Sequence, residues 1–279
     1  MSLPNFLVIG AHRAGTSLLH HKVLLPHPEI YVPVQRKEIH YFDQYYHRGP
    51  EWYQTYFPSG DAASRFKAIG EVTPEYLTTP EAPARIHALL PGCRLIAILR
   101  NPVDRAWSWY QHARRSRDER RDFERFIEED PAALGGGLYH RHLQRYLALF
   151  PRRQLLVLIY EDLVENPGRE LGRLTAFLDV AMIWSDAAAL LQERINPGET
   201  PRWRRSFALA RQAAGVLARH DLNWPVRMAK RVGVRRWFGR TAEEPSLSPA
   251  LRLRLADFYR DDVRELARLL ERDLEVWQL

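Results

Sequence analysis

Arg13 sits in the middle of a glycine-bracketed run, Phe6-Leu-Val-Ile-Gly-Ala-His-Arg-Ala-Gly-Thr-Ser17, whose residue types suit the holding of an anion. Phe6 to Ile9 is a short apolar run fit for a buried strand, Gly10 to Gly15 make a turn, and Thr16 to Leu25 continue as a helix. In such a strand–loop–helix, backbone amides and the helix N-terminus converge on a phosphate or sulfate. The ATP- and GTP-binding form of this loop places Lys and then Ser or Thr directly after the last glycine. That Lys reaches the β/γ-phosphates and the hydroxyl holds Mg²⁺. Here Thr16 follows Gly15, and the charge has moved to Arg13. The pattern suits a phosphate-containing donor handled without that Lys and metal, and it argues against a kinase or GTPase.

A second half of the site is needed, and Arg94-Leu-Ile-Ala-Ile-Leu-Arg-Asn-Pro-Val-Asp-Arg-Ala-Trp-Ser-Trp-Tyr-Gln-His112 supplies it. Leu95 to Leu99 has the character of a buried parallel strand. Asn101-Pro102 breaks the run, and residues 103–117 follow as a helix. Arg100 then lies at the carboxyl end of the strand, where open α/β sheets place their ligands. Ser108, on the following helix, can return a hydroxyl to the same anion. Asp104 and Arg105 are expected to cap or pair within the helix start.

With both halves in view, the chain resembles the sulfotransferases that use 3′-phosphoadenosine 5′-phosphosulfate (PAPS), whose product is the 3′,5′-bisphosphate PAP. The resemblance is closest to the branch of the heparan sulfate N- and 3-O-sulfotransferases and their bacterial relatives. Further segments that carry it are Lys37-Glu-Ile-His-Tyr-Phe-Asp43, Glu51-Trp-Tyr-Gln-Thr-Tyr-Phe-Pro58, Gly137-Leu-Tyr-His-Arg-His-Leu-Gln-Arg-Tyr146 and Leu155-Leu-Val-Leu-Ile-Tyr-Glu-Asp162. They follow one another in order along nearly the whole chain. In that family a G-x-x-K-x-G-T-[TS] loop binds the 5′-phosphosulfate, which falls on Arg13, Ala14, Gly15, Thr16 and Ser17. A strand ending in Arg, followed by a helix carrying Ser, binds the 3′-phosphate, which falls on Arg100 and Ser108.

The family's K-E-x-H-[FY]-F motif names its Glu as general base, and so implies Glu38 here. His40 is the runner-up, because imidazole titrates near neutrality, although a histidine beside Tyr41 and Phe42 also suits plain packing. Lys37 either meets the transferring sulfuryl oxygens or is simply exposed. Arg13 is the candidate for stabilising the leaving group, and Tyr139, after the glycines, for touching the donor. Three departures from the family pattern stand out. Arg13 replaces the loop Lys, a planar fork in place of a compact ammonium. Val72 of Glu71-Val-Thr-Pro74 replaces a Lys. Asn196 to Arg202 stands where Golgi members have a cysteine pair and a basic loop, with Arg202 as the substitute cation.

Length and composition bound the rest. The 279 residues, 46% hydrophobic, can bury a full core, and without a linker or internal repeat one domain over residues 1–279 is expected. No run reaches the roughly 18 apolar residues of a membrane span, and with so early a first strand no signal peptide is expected. The single cysteine, Cys93, excludes an internal disulfide. These features favour a cytoplasmic protein of bacterial type.

The net charge of +7 is unevenly placed. Residues 201–240 hold eleven Lys/Arg against one acid, Asp221, with Trp203, Trp224, Trp237 and Phe238 interleaved. This basic, aromatic-rich helical segment (201–245) has three readings. It is a solvated helical pair with snorkelling arginines, a surface for an anionic or glycan acceptor, or a peripheral contact with acidic lipid. Nucleic-acid binding is not expected, since no recognition motif accompanies the charge.

Strands at 5–9, 67–71, 94–99 and 154–159 alternate with helices at 16–25, 81–90, 103–117, 139–149 and 167–178. That alternation predicts an α/β fold, a P-loop-like three-layer sandwich with a central, mostly parallel sheet flanked by helices. Residues 131–137 are expected to be a flexible connection, and Glu161 and Asp162 to cap the next turn. Ser248-Pro249 opens a last helix with an apolar face at 251, 255, 258, 259, 263, 266, 269 and 270. No metal site is expected, because the histidines lack ligand spacing. His20 and His21 are adjacent on a helix and should point apart. The leading function is sulfuryl transfer from PAPS to a hydroxyl or amine of a glycan, lipid or small-molecule acceptor, in line, with Glu38 as base. The alternatives are an ATP-dependent small-molecule kinase and a non-catalytic PAP- or glycan-binding module.

Overall fold

The computed structural model describes residues 3–116, 119–192, 200–201, 239–240 and 247–277. Arg202 and all of segment 201–240 but its ends lie outside the described residues. Five strands, β1 (Phe6–Gly10), β2 (Ile30–Tyr31), β3 (Ala68–Val72), β4 (Arg94–Leu99) and β5 (Leu155–Ile159), form one sheet in the order β2-β3-β1-β4-β5. Every pairing in it is parallel. Their near-continuous Val, Ile and Leu content suits a sheet covered on both faces. Two buried clusters confirm the three layers. Leu7, Ile9, Leu95, Ala97 and Leu99 face one helical layer, and Phe6, Val8, Ile96, Ile98 and Leu158 face the other.

Strand order reverses beside β1, which opens a crevice at the carboxyl edge between β1 and β4. The described helices among and after these strands are α1 (Thr16–Leu18), α2 (Gly49–Gln54), α3 (Ala82–Leu89), α4 (Pro102–Ser116), α5 (Phe123–Glu129), α6 (Pro131–Gly135), α7 (Tyr139–Leu147), α8 (Tyr160–Glu165), α9 (Pro167–Leu178) and α10 (Ala187–Gln192). A long helix, α11 among the described residues (Pro249–Leu270), packs on α7 and α4. Its Ser248 Oγ accepts the Leu251 amide at 3.3 Å, as the sequence predicts, and Leu255, Tyr259, Val263 and Leu266 are buried, while Phe258 faces outward. Two short strands, β6 (Thr200–Pro201) and β7 (Gly239–Arg240), pair antiparallel. None of the described helices is long and apolar enough to cross a membrane.

Several local expectations are corrected. The predicted helix 16–25 is one α-turn, Thr16–Leu18, followed by a π-helical stretch, Leu19–Leu24. A π-turn rotates less per residue, and the His20 and His21 rings meet edge-on with Nδ1 atoms 3.3 Å apart instead of diverging. Residues Pro131–Gly135 form a helix, because Asp130 Oδ1 accepts the Ala132 amide at 3.0 Å and Pro131 opens the first turn. Gly137 there serves close packing, since a Cβ would lie 2.8 Å from the Tyr259 ring.

The start of α4 is capped by Asn101, whose Oδ1 accepts the Val103 and Asp104 amides at 2.9 and 3.3 Å. Asp104 instead pairs with Arg252 of α11 at 2.7 Å, and buried Arg105 donates to the Ala133 carbonyl. Glu161 does not cap its own turn. It accepts from the Asn101 amide and from Trp277 Nε1, both at 2.9 Å, while Asp162 pairs with Arg272.

Candidate active site

The loop after β1 is tethered at its start, where the Ala11 amide donates to the Ile98 carbonyl of β4 at 2.7 Å. Arg13 and Gly15 both take positive φ, 72° and 101°. Only glycine fits the second position, since a Cβ on Gly15 would lie 2.6 Å from Cδ2 of Tyr160. Ala14 is buried and its amide donates to the Ala11 carbonyl at 3.2 Å, so Ala14 shapes the turn. Among the described residues, no side chain caps the helical turn that starts at Thr16. Its amides stay available to an anion.

Cations gather around this loop. Arg13 Nε donates to Ser108 Oγ of α4 at 3.2 Å. Burial and the like charges of Arg115 and Arg100 pull the Arg13 guanidinium down to about 10. Three arginines that repel one another around a loop of backbone donors make a field suited to a multiply charged anion. The Arg100 guanidinium lies over the Tyr160 ring, 5.2 Å from its centroid, so one aromatic ring supports both Gly15 and Arg100. Tyr139 is fully buried, and its hydroxyl donates to the Arg100 carbonyl at 2.8 Å. It stands behind the arginine and fixes its backbone.

The carboxylates and the imidazole of the site come from a different construction. Glu71, in β3, is fully buried and accepts from Tyr53 Oη (2.7 Å), Tyr76 Oη (3.0 Å), Thr73 Oγ1 (2.7 Å) and the Ile39 amide (3.3 Å). Burial raises its pKa while those four donors oppose the rise. Tyr76 Oη also takes the Tyr41 amide at 2.9 Å. The chain from Ile39 to Tyr41 is therefore pinned by a core carboxylate, and the side chains flanking it are presented at the sheet edge. Lys37 Nζ bridges two of the predicted site groups, with Ser17 Oγ at 3.0 Å and Glu38 Oε1 at 2.9 Å. His40 Nδ1 meets Asp43 Oδ2 at 2.8 Å, and its Nε2 lies 3.9 Å from Glu38 Oε2. Burial lowers the His40 pKa, but the Asp43 bond and the Asp43, Glu75 and Glu38 charges outweigh it, and the net shift is upward.

Glu75, on the 3₁₀ turn Pro74–Leu77 after β3, completes the cluster. One ligand-type atom each from Glu38, His40 and Glu75 lie within 4.8 Å of one another. The Lys37 ammonium already sits on Glu38, which favours proton handling over a metal ion at this trio. Glu75 Oε1 is 3.6 Å from Nε2 of His12, inside the glycine loop. Burial, then Arg13 and His112, hold His12 down to about 3, so this contact joins a neutral imidazole to a carboxyl group.

Arg13, Thr16, Ser17, Lys37, Glu38, His40, Arg100 and Ser108 thus meet along one sheet edge, while Tyr139 supports it from behind. Sequence reasoning missed Glu71, Glu75, His12, Tyr160 and Arg115. A charged residue in the otherwise apolar Ala68–Val72 run was a readable signal for Glu71, and His12 lay in plain view inside the loop.

Comparison with known proteins agrees with this geometry. Residues 3–195 match the sulfotransferase domain family. Over 197 residues the chain is 34% identical to bifunctional heparan sulfate N-deacetylase/N-sulfotransferase 2 of Bos taurus, covering 64% of this chain and 22% of that protein. It is 35% identical over 193 residues to human heparan sulfate glucosamine 3-O-sulfotransferase 3B1, covering 66% and 48% respectively. The chain spans about half or less of the length of these relatives. A sulfotransferase from Alicyclobacillus acidocaldarius superposes over 100% of both chains with a TM-score of 0.71 and 25% identity. The domain match, covering most of the chain and containing every residue of the cluster just described, establishes that this protein belongs to the sulfotransferase domain family.

Proposed function

We propose that the chain is a single-domain sulfotransferase that uses PAPS and sulfates a hydroxyl or amine on a glycan or other polar acceptor. The observation that carries this reading is Lys37, whose ammonium touches both Ser17 of the anion loop and the candidate base Glu38. One cation thereby sets the distance between the donor end and the proton acceptor. Donor fit is supported by the Arg13–Arg100–Arg115 field, by uncapped amides at Thr16, and by a loop with no Lys after Gly15. When bound, PAPS supplies the sulfuryl group and leaves as PAP.

The roles of the chain's own residues follow from their positions. Arg13 and the loop amides offset negative charge at the 5′ end, and they do so preorganised. Arg100 and Ser108 take the 3′-phosphate. Glu38 accepts the acceptor's proton, while His40, held by Asp43 and favoured in its charged form, orients the carboxylate. The glycan names of the curated relatives support a saccharide acceptor. Buried Cys93, the single cysteine, is consistent with a cytoplasmic setting.

Calorimetric titration with PAP, and with ATP with and without Mg²⁺, tests the donor. Tight, metal-independent PAP binding with negligible ATP binding is expected. A preference for Mg-ATP would replace the reading with a small-molecule kinase. Arg100→Ala should weaken PAP roughly 10²-fold while adenosine 5′-phosphate, which lacks the 3′-phosphate, loses little. Equal losses would remove Arg100 from 3′-phosphate recognition.

A further inference from the structure

Glu75 is a carboxyl group that the proposed transfer does not use, placed between the two halves of the site. Its backbone is fixed, because Thr78 and Thr79 hydroxyls and amides all converge on its carbonyl, at 2.9–3.1 Å. Arg145 of α7 holds the next carbonyls, Leu77 and Thr78, from behind at 3.0 and 3.3 Å. The side chain points to His12 of the donor loop on one side and to Glu38 and His40 on the other. Its Oε2 is buried and has no hydrogen-bond partner among the described residues. A buried carboxylate oxygen left unpaired is costly, and protonation lowers that cost by removing the desolvated charge.

The surrounding charges decide which carboxyl carries the proton. The groups facing Glu75 are His12 from the β1 loop, with His112 of α4 beyond it, and Glu38, His40 and Asp43 from the segment before α2 (Gly49–Gln54). Lys37 sits on Glu38 and not on Glu75. Two carboxyls this close do not both ionise cheaply. Burial, then the Glu38 charge, push Glu75 up to about 7, with His40 acting in the opposite direction.

Building on the donor reading above, we propose that Glu75 is the proton-taking group of the donor site: an anionic nucleotide entering the glycine loop is bound together with a proton from solvent, which forms an O–H bond at the Glu75 carboxyl. No bond of the nucleotide breaks in this step, and the proton's source is the buffer. The physical reason is proximity, since the loop that receives the anion carries His12, 3.6 Å from Glu75. A new negative charge there makes an ionised Glu75 less favourable. Neutralised, Glu75 no longer sets a like charge against Glu38 when the acceptor arrives. Because Glu75 titrates near neutrality, the coupling operates in the physiological range. The Glu75 contribution to nucleotide affinity must fall as pH rises above 7, where the proton has to be supplied on binding.

The test is calorimetry of the full chain with PAP at pH 7.5, in buffers of different ionisation enthalpy, for the wild type and Glu75→Gln. The phosphates of PAP exchange protons of their own, identically in both proteins, so the difference between the two isolates Glu75. Wild type should take up about half a proton more per PAP than the variant. The wild-type to variant ratio of Kd should grow several-fold between pH 6.5 and 8.5. Infrared difference spectra of the wild type alone should show a protonated-carboxyl band gained on adding PAP, a signature that a merely structural glutamate does not give. Equal proton uptake in both proteins, or no band, overturns the proposal. Failure of PAP to bind either protein is a different result, which refutes the donor reading itself.

Discussion

The two halves of the site are built from opposite materials. At the donor edge, main chain does most of the work: two residues at positive φ, a glycine pressed on Tyr160 and uncapped amides, with arginines around the rim. In the acid–base half, side chains do it, radiating from the buried carboxylate of Glu71 to two tyrosines, a threonine and one amide. The first arrangement centres on one strand–loop–helix, to which β4, α4 and α8 bring Arg100, Ser108, Arg115 and Tyr160. The second joins residues 39, 53, 71, 73 and 76, and so depends on three chain segments arriving together. The proposed donor binding and proton transfer should therefore be separable by mutation, even though Lys37 links the two halves.

The sharpest separation is expected from Glu38→Ala. Turnover in a sulfuryl-transfer assay should drop roughly 10²–10⁴-fold while PAP affinity measured by calorimetry stays within a few-fold. Unchanged turnover would remove Glu38 as base and promote His40. Glu71→Ala should instead act on folding, because it strands several buried donors at once. A loss of about 3 kcal/mol is expected from urea denaturation. If stability is untouched, the acid–base half is not held from the core. The smallest effect should come from Ser108→Ala, which removes one hydrogen bond to Arg13 and should weaken PAP about fivefold, a loss of about 1 kcal/mol. A change in turnover at saturating donor would show that the donor edge and the acid–base half are not independent.

This division also explains what was legible in the sequence. Phe6–Ser17 reveals itself because glycine spacing, strand pattern and loop length are all local. The strand ending at Arg100 is equally plain, from an apolar run stopped by Asn-Pro. The parallel sheet and both helical layers follow from the same alternation, whereas the order of the strands emerged only with the structure. Glu71 and Glu75 were harder, since a carboxylate's role depends on partners brought by tertiary structure. Tyr139 read as a donor contact because its place in the chain is right, and burial moved its hydroxyl onto the Arg100 backbone. Residues 131–137 read as flexible from three glycines, but Asp130 and Pro131 carried the helix signal beside them. The Leu19–Leu24 widening has no local signature in residue type that periodicity would detect.

One contact bears on when the site exists at all. Asn101, the residue after Arg100, donates from Nδ2 to the Trp277 carbonyl at 2.7 Å, a closure across 176 positions of chain, and Glu161 joins the same knot through the Trp277 indole. Contacts of such long sequence separation are slow to close. The pairings of β1 to β5 do not need this knot, so the turn after Arg100 is the part of the site that depends on the far end of the chain. On refolding, nucleotide affinity should then return later than secondary structure. Under mild denaturation it should vanish first, as the docking of one distant tryptophan is undone.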